Sequence, residues 1–204
     1  MLSNKIYSII FTAALILFFN CSEKKEKQIP KFNFEDKNQI LEIVKNHFDK
    51  DISLVFIGNF NYDNSFSVVA CAEKMDSVNW GIKFYHLLQT KNQIDCKYET
   101  DILTGSLKES MIDKIKVADK PYELLYYNSM NFFMGTGGGE IYSYIIDFEN
   151  KELFYAHFVN DVDYPASLFI SENTKDLKLR NFIISNFKRD YPNLKIVEKE
   201  IKLD

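Results

Sequence analysis

The chain has 204 residues, of which 46% are hydrophobic and 15% aromatic, so it can bury one sizeable core and is expected to form one domain. Its formal charge of -4 and its pI near 5.5 argue against a nucleic acid as partner, because that contact needs a concentrated basic face. The lysines are instead interspersed with acidic residues.

The N-terminus has the order of a secretory signal. A short segment with Lys5 precedes an apolar stretch from Ile6 to Phe19, and Cys21 is then followed directly by polar residues. The apolar stretch of 14 residues is shorter than the roughly twenty that cross a membrane comfortably, which favours a cleaved signal over a permanent span. We therefore expect residues 1–20 to be removed.

The end of this stretch, "FFNC", resembles the lipobox of bacterial lipoproteins, with Cys21 at the position of the lipidated cysteine. The usual box has Leu three residues before the cysteine and a small residue directly before it, where this chain has Phe18 and Asn20. The resemblance implies a lipid on Cys21 as the contact with the membrane of the cell envelope, and Ser22 favours the outer membrane. Residues 21–35 then form the lipidated cysteine and a polar tether. The alternative is an ordinary secreted protein in which Cys21 is incidental.

The segment after the tether predicts a helix, four strands and then a second, brief helix. Asp36, with Gln39 three residues later, is typical of a capping-box start, and apolar residues then recur at helical spacing over about 37–48. Ser106 and Glu109 indicate a further brief helix. Alternating apolar segments between these helices predict strands at 52–60, 65–75, 80–89 and 93–99.

The second half predicts a further group of strands and a long helix over about 174–190, which Pro192 stops. The lysine-rich tail is typical of an edge strand. The predicted class is α+β, with a single domain over 36–204 built from a mainly antiparallel sheet of about eight strands and a helix from each end packed on it. The strands of this half are predicted near 122–133, 140–148, 153–159 and 167–170.

Cys71 and Cys96 lie in predicted strands, and in an oxidising compartment a disulfide between them is the first expectation. Alternation places Cys96 on the inward face with Ile94 and Tyr98, and places Cys71 on the polar face. If the strands form a meander, the two cysteines are two strands apart, about 10 Å, which is beyond disulfide reach. Two free thiols are therefore predicted.

Four glycines lie within five positions: Gly135, Gly137, Gly138 and Gly139. A Walker loop needs a Lys and a Ser or Thr after the last glycine, and a dinucleotide site needs a helix there. Glu140 and a β pattern follow instead. The run is therefore predicted to connect two antiparallel strands, with glycines at positive φ or in a bulge. The alternative is a loop that lets a ligand or partner approach the backbone closely.

The histidines offer little recognisable chemistry. His86 shares an apolar face of its strand, which predicts a partly buried ring with one hydrogen bond. If the next hairpin turns at Asn150 and Lys151, His157 lies opposite Tyr144, a pair that could serve acid-base chemistry but that more simply packs across the strands. Asp161 and Asp163 begin like a calcium loop, but the downstream Gly and Glu are missing. No metal and no cofactor is predicted.

The clustered tyrosines and phenylalanines favour a core role, with a groove for a sugar, peptide or apolar ligand as the alternative. No catalytic motif is present, so no catalytic residue is assigned and an enzyme is not favoured. The leading hypothesis is a lipid-anchored, non-catalytic domain that binds an envelope protein or a small ligand. The alternatives are an immunity-type inhibitor of a toxin and a hydrolase with dispersed catalytic residues. The candidate ligand or partner loop comprises Gly135, Gly137, Gly138, Gly139, Glu140, Tyr144 and His157.

Overall fold

A computed structural model of the chain describes residues 28–78, 80–91, 93–132, 137–171 and 176–199. This part of the chain forms eleven strands, two α-helices and a single turn of 3₁₀ helix at Leu107–Glu109. The elements are, in chain order, α1 (Lys37–His47), β1 (Leu54–Gly58), β2 (Ser67–Met75), β3 (Trp80–Gln89), β4 (Ile94–Glu99), β5 (Leu103–Thr104), β6 (Ser110–Ile115), β7 (Leu124–Phe132), β8 (Gly139–Asp147), β9 (Glu152–Asp161), β10 (Tyr164–Ser171), α2 (Leu177–Asp190) and β11 (Lys195–Lys199).

The strands form two sheets. The first sheet is an antiparallel meander in the order β1-β2-β3-β4, and β5 also pairs with β3. The second sheet has the order β11-β10-β9-β8-β7-β6 and is antiparallel except for the parallel pair of β10 and β11. The predicted combination of antiparallel strands with two helices is confirmed, but the prediction of one sheet of about eight strands was wrong. Strand patterns do not reveal how strands divide between two sheets that cover each other.

The elements stack as four layers, because three apolar clusters lie one above the other. α1 covers the outer face of the first sheet, and α2 covers the outer face of the second sheet with Leu179, Ile183 and Phe187. The inner faces of the two sheets pack against each other. The buried residues between the sheets are Phe60, Val69, Cys71, Ile82, Phe84, Leu103, Leu125, Tyr127, Tyr144, Ile146 and Phe148.

Both helices begin at an aspartate whose side chain accepts backbone N–H groups. Asp36 accepts from Gln39 N at 3.0 Å, while the Gln39 side chain accepts from Asn33 N–H at 2.9 Å and not from Asp36 N–H. The capping box is thus half formed, and the helix is where the sequence predicted it. Asp176 caps α2 by accepting from Lys178 N and Leu179 N. Neither helix of the described ranges is long and apolar enough to cross a membrane.

The chain is attached to the first sheet from Pro30 onward. Gln89, at the end of β3, accepts a hydrogen bond from Phe32 N and donates one to Pro30 O, each at 2.7 Å. The Phe32 side chain is buried under α1. Part of the segment that the sequence analysis assigned to the tether is therefore packed on the fold, whereas Cys21 lies outside the described residues.

The two cysteines are free, as predicted, but their predicted orientations were wrong. Cys71 is buried between the sheets because β2 is covered on both faces, by α1 on one side and the second sheet on the other. Cys96 is exposed. A bulge in β4 lets His86 pair with Tyr98 and Leu87 with Cys96, so Lys97 is an extra residue. Strict alternation fails at that point.

Candidate binding site

The glycine run connects β7 to β8, which are antiparallel neighbours as the sequence predicted. Gly137 has φ +67°, a left-handed conformation that favours glycine, so the predicted backbone role is confirmed at this position. Gly139 begins β8, where it pairs with Phe132 and with Asn160. Gly138 is buried, and Gly135 lies outside the described residues.

The predicted register of the β8–β9 hairpin was wrong by two residues. Asp147 pairs with Glu152, so the connection is the four-residue segment 148–151, in which Lys151 has φ +57°. Asp147 Oδ1 accepts the Asn150 N–H at 3.0 Å and holds this longer turn. His157 consequently lies opposite Tyr142 and not opposite Tyr144.

Glu140 and His157 form a hydrogen-bonded pair on the second sheet. Glu140 Oε2 lies 2.8 Å from His157 Nε2, and Glu140 Oε1 accepts from the side chain of Asn131 at 3.1 Å. The Tyr142 ring stacks on the His157 ring, with centroids 4.6 Å apart and planes at 10°. Phe169 on β10 lies beyond His157, with ring centroids 6.1 Å apart. Glu140 and His157 were thus predicted from the sequence as site residues, whereas Tyr142, which stacks on the His157 ring, was not.

These residues share the inner face of the second sheet with part of the core. Tyr144 is 2% exposed and stacks on Tyr127 between the sheets, so it belongs to the core. Further toward the start of β8, the same face becomes partly exposed: the Glu140 side chain is 16% exposed and that of His157 is 25% exposed. We call this region the β8–β10 patch; it consists of Glu140, Tyr142, Tyr155, His157 and Phe169.

The two phenols of the β8–β10 patch remain protonated over the physiological range. Burial raises the pKa of Tyr142 to about 12, and the negative charge of Glu140 acts in the same direction. Burial also raises the pKa of Tyr155, with the neighbouring tyrosines and Glu140 adding to the effect. Both hydroxyls can therefore donate hydrogen bonds at neutral pH.

A separate groove of about 550 Å³ lies on the outer face of the second sheet, between the end of α2 and strands β6 and β7. Met111 and Met130 are exposed along it. Asn128, also on its wall, accepts a hydrogen bond from the Ser143 hydroxyl at 2.6 Å. This groove faces away from the β8–β10 patch, because successive residues of a strand point to opposite faces.

The described residues contain no group of three His, Cys, Asp or Glu side chains placed to hold a metal ion. Asp161, one of the two aspartates that resemble a calcium loop, instead accepts the Asp163 N–H at 3.1 Å within the β9–β10 turn. Comparison of the chain with protein-family models, with curated proteins and with solved structures gave no match. The function must therefore be inferred from the geometry of the chain itself.

Proposed function

We propose that the chain is a lipid-anchored, non-catalytic binding domain of the cell envelope, held at the outer membrane through Cys21. Its β8–β10 patch binds an envelope protein or a small ligand. The observation that carries this proposal is the Glu140 and His157 pair with Tyr142 stacked on it, partly exposed on a sheet face whose remainder is buried.

The chemistry of the β8–β10 patch suits a sugar or a peptide. Aromatic rings with polar tips offer a flat apolar surface together with hydrogen-bonding groups at its margin. Tyr142 and Tyr155 supply phenol donors, and Glu140 supplies an acceptor that the His157 ring holds in place. A ligand with an apolar face and hydroxyl or amide groups at its edge complements this arrangement.

The attachment of Pro30 to β3 limits how far the domain can lie from the anchor. Nine residue steps separate Cys21 from Pro30. A fully extended chain of that length spans about 30 Å. Lipidation at Cys21 would therefore hold the domain close to the membrane, and the polar residues between them suit a short spacer.

A hydrolase is the second candidate, because Glu140 and His157 lie at 2.8 Å. A histidine oriented by a carboxylate is the general-base half of a catalytic triad. In the described part of the chain, however, the side-chain hydrogen bond of His157 is to Glu140 and not to a serine, threonine or cysteine. This absence of a positioned nucleophile favours binding over hydrolysis.

The β8–β10 patch can be tested by affinity capture of the tagged full-length protein from envelope extracts. Tyr142→Ala should abolish capture of the wild-type partner, because it removes the stacked ring and one donor. Phe66→Ala is the matched control, since Phe66 is an exposed aromatic residue just before β2 of the other sheet. Loss of capture with Phe66→Ala and retention with Tyr142→Ala would refute the assignment of the patch.

The anchor can be tested by membrane fractionation. Cys21→Ser should release the protein from membranes or leave an uncleaved precursor, because the thiol is the lipid acceptor. Cys96→Ser is the matched control, since Cys96 is exposed and has no part in anchoring. If the Cys21→Ser protein still matures and sediments with membranes, the lipoprotein proposal is wrong.

A further inference from the structure

A second concave site lies at the end of the two sheets opposite the start of β8. A cavity of about 380 Å³ opens between the β1–β2 loop, the ends of β3 and β4, and the β8–β9 turn. Its inner wall contains His86 and Asn61, with Phe148 beside them. This site shares no residue with the β8–β10 patch and is independent of the proposed function.

His86 is 1% exposed and has one hydrogen bond, between Nε2 and the Ser67 hydroxyl at 3.0 Å. The rings of Phe60 and Phe148 lie against the imidazole, at centroid distances of 6.3 and 5.4 Å. Its Nδ1 atom is buried and has no hydrogen-bond partner among the described residues. A buried polar atom without a partner is costly, so this nitrogen is expected to bind a group from outside the chain.

The Ser67 hydroxyl indicates which nitrogen carries the proton. Ser67 is buried, and in the described part of the chain His86 is the side-chain partner of its hydroxyl. A hydroxyl hydrogen needs an acceptor, and His86 Nε2 provides one when it carries no proton. The proton of the neutral ring then resides on Nδ1, which makes this atom a donor.

Asn61 supplies a second donor of the same kind. Its side chain is on the wall of the cavity, the residue is 9% exposed, and its Nδ2 atom is buried with no partner among the described residues. Two buried N–H donors, from the β1–β2 loop and from β3, thus belong to residues that line one cavity, and neither has an acceptor in the described part of the chain. Donors without acceptors require an oxygen acceptor from outside the chain.

The rim of the cavity shows that this acceptor need not be charged. Lys97 and Lys151 are balanced there by Asp63 and Glu149. An ion of either sign is therefore repelled by two of these side chains at the entrance as well as attracted by the other two. A neutral carbonyl group is not repelled there and can still accept from the two donors. The aromatic and aliphatic side chains of Tyr62, Leu88 and Phe148 suit the carbon skeleton of such a ligand.

We propose that this cavity binds a small neutral ligand through a carbonyl oxygen, which accepts hydrogen bonds from His86 Nδ1 and Asn61 Nδ2. The class of ligand is an amide or another acyl compound that has apolar groups next to the carbonyl.

The proposal can be tested by nuclear magnetic resonance of the ¹⁵N-labelled protein with N-methylacetamide as the probe. The His86 imidazole and the Asn61 side-chain amide should shift together and saturate, and the free ring should already show the Nδ1–H tautomer. Sodium acetate at matched ionic strength should bind at least ten-fold more weakly. Tighter binding of acetate that depends on Lys97, absence of saturation, or an Nε2–H tautomer would each overturn the proposal.

Asn61→Leu separates a binding role from a structural one. This change removes an amide without a partner, so it should leave the melting temperature unchanged or raise it, while the saturable response of His86 to N-methylacetamide disappears. Asn128→Leu is the matched control: it removes an amide that accepts from Ser143, so it should lower the melting temperature and keep probe binding. A lower melting temperature with retained binding in Asn61→Leu would show a purely structural amide.

Discussion

Lowering the pH from 7 to 5 should destabilise the fold through His86. Its ring is 1% exposed between two phenylalanines, and burial, with Lys97 adding to the effect, lowers the pKa of His86 to about 4. In the unfolded chain a histidine has a pKa of about 6.5. Between these two values the unfolded state binds a proton that the folded state does not, so stability falls as the pH falls. At about 1.4 kcal/mol per pH unit, the loss is about 2 kcal/mol at pH 5.

The assay is urea unfolding at pH 7 and pH 5, with the wild type compared with His86→Gln. The variant loses the proton-binding group, so its fall in unfolding free energy between the two pH values should be smaller than that of the wild type by about 2 kcal/mol. Comparing the two falls removes the contributions of the other titrating groups, which both proteins share. An equal fall in both proteins would refute the reasoning, as would a directly measured His86 pKa above 6.

Three further predictions concern backbone, charge and thiols. Gly105→Ala should cost about 2 to 4 kcal/mol in thermal unfolding, because φ is +129° and a methyl group would overlap the side chains of Tyr127 and Ser129 on β7. Gly137→Ala should cost about 1 kcal/mol, because φ is +67° but a methyl group would meet the Val162 side chain at an ordinary contact distance of 3.8 Å; equal costs would contradict this. Asp147→Asn should cost about 3 kcal/mol in urea unfolding at pH 7, because it removes a fully buried carboxylate that pairs with Lys120 at 2.8 Å and leaves Lys120 with the more distant carboxylate of Asp176, at 3.9 Å. The difference from wild type should shrink below pH 4 as the wild-type carboxylate is protonated, and an unchanged difference would contradict this. Maleimide should label Cys96 but not Cys71 in the native protein, because Cys71 is buried and its burial raises the pKa of the thiol to about 12. After denaturation without reductant, maleimide should label both cysteines. If both are protected until a reductant is added, they form a disulfide.

Local patterns predicted the individual elements well, because their signals are local. Asp36 and the apolar spacing behind it located α1, apolar spacing that ends before Pro192 located α2, and alternation located β1 to β4 and β7 to β10. β6 was missed. Its residues Ser110–Ile115 mix Asp113 and Lys114 with apolar residues, as suits an edge strand with little buried surface.

The pairing between elements was harder to predict, because it depends on turns and bulges. The observed β8–β9 register differs from the predicted one by two residues, because Asp147 caps a longer turn. Tyr142 and not Tyr144 therefore lies opposite His157. An aspartate three residues before an asparagine was the available signal for this turn. The cavity near His86 had no such signal, because its donors come from separate elements that only the folded chain brings together.

The direction of the strands bears on how the two sites lie relative to the proposed anchor. Gln89 of β3 holds Pro30, and the neighbouring Leu88 lines the cavity, so the cavity lies at the end of the fold where the N-terminal segment is attached. β8 runs from Gly139, next to Glu140 of the β8–β10 patch, to Asp147, next to Phe148 at the cavity. Eight residue steps along a strand span about 26 Å. If Cys21 is lipidated, the tether joins the fold at the cavity end, and the β8–β10 patch lies at the end farther from the point of attachment. The β8–β10 patch is then the better placed of the two sites to bind a large envelope partner.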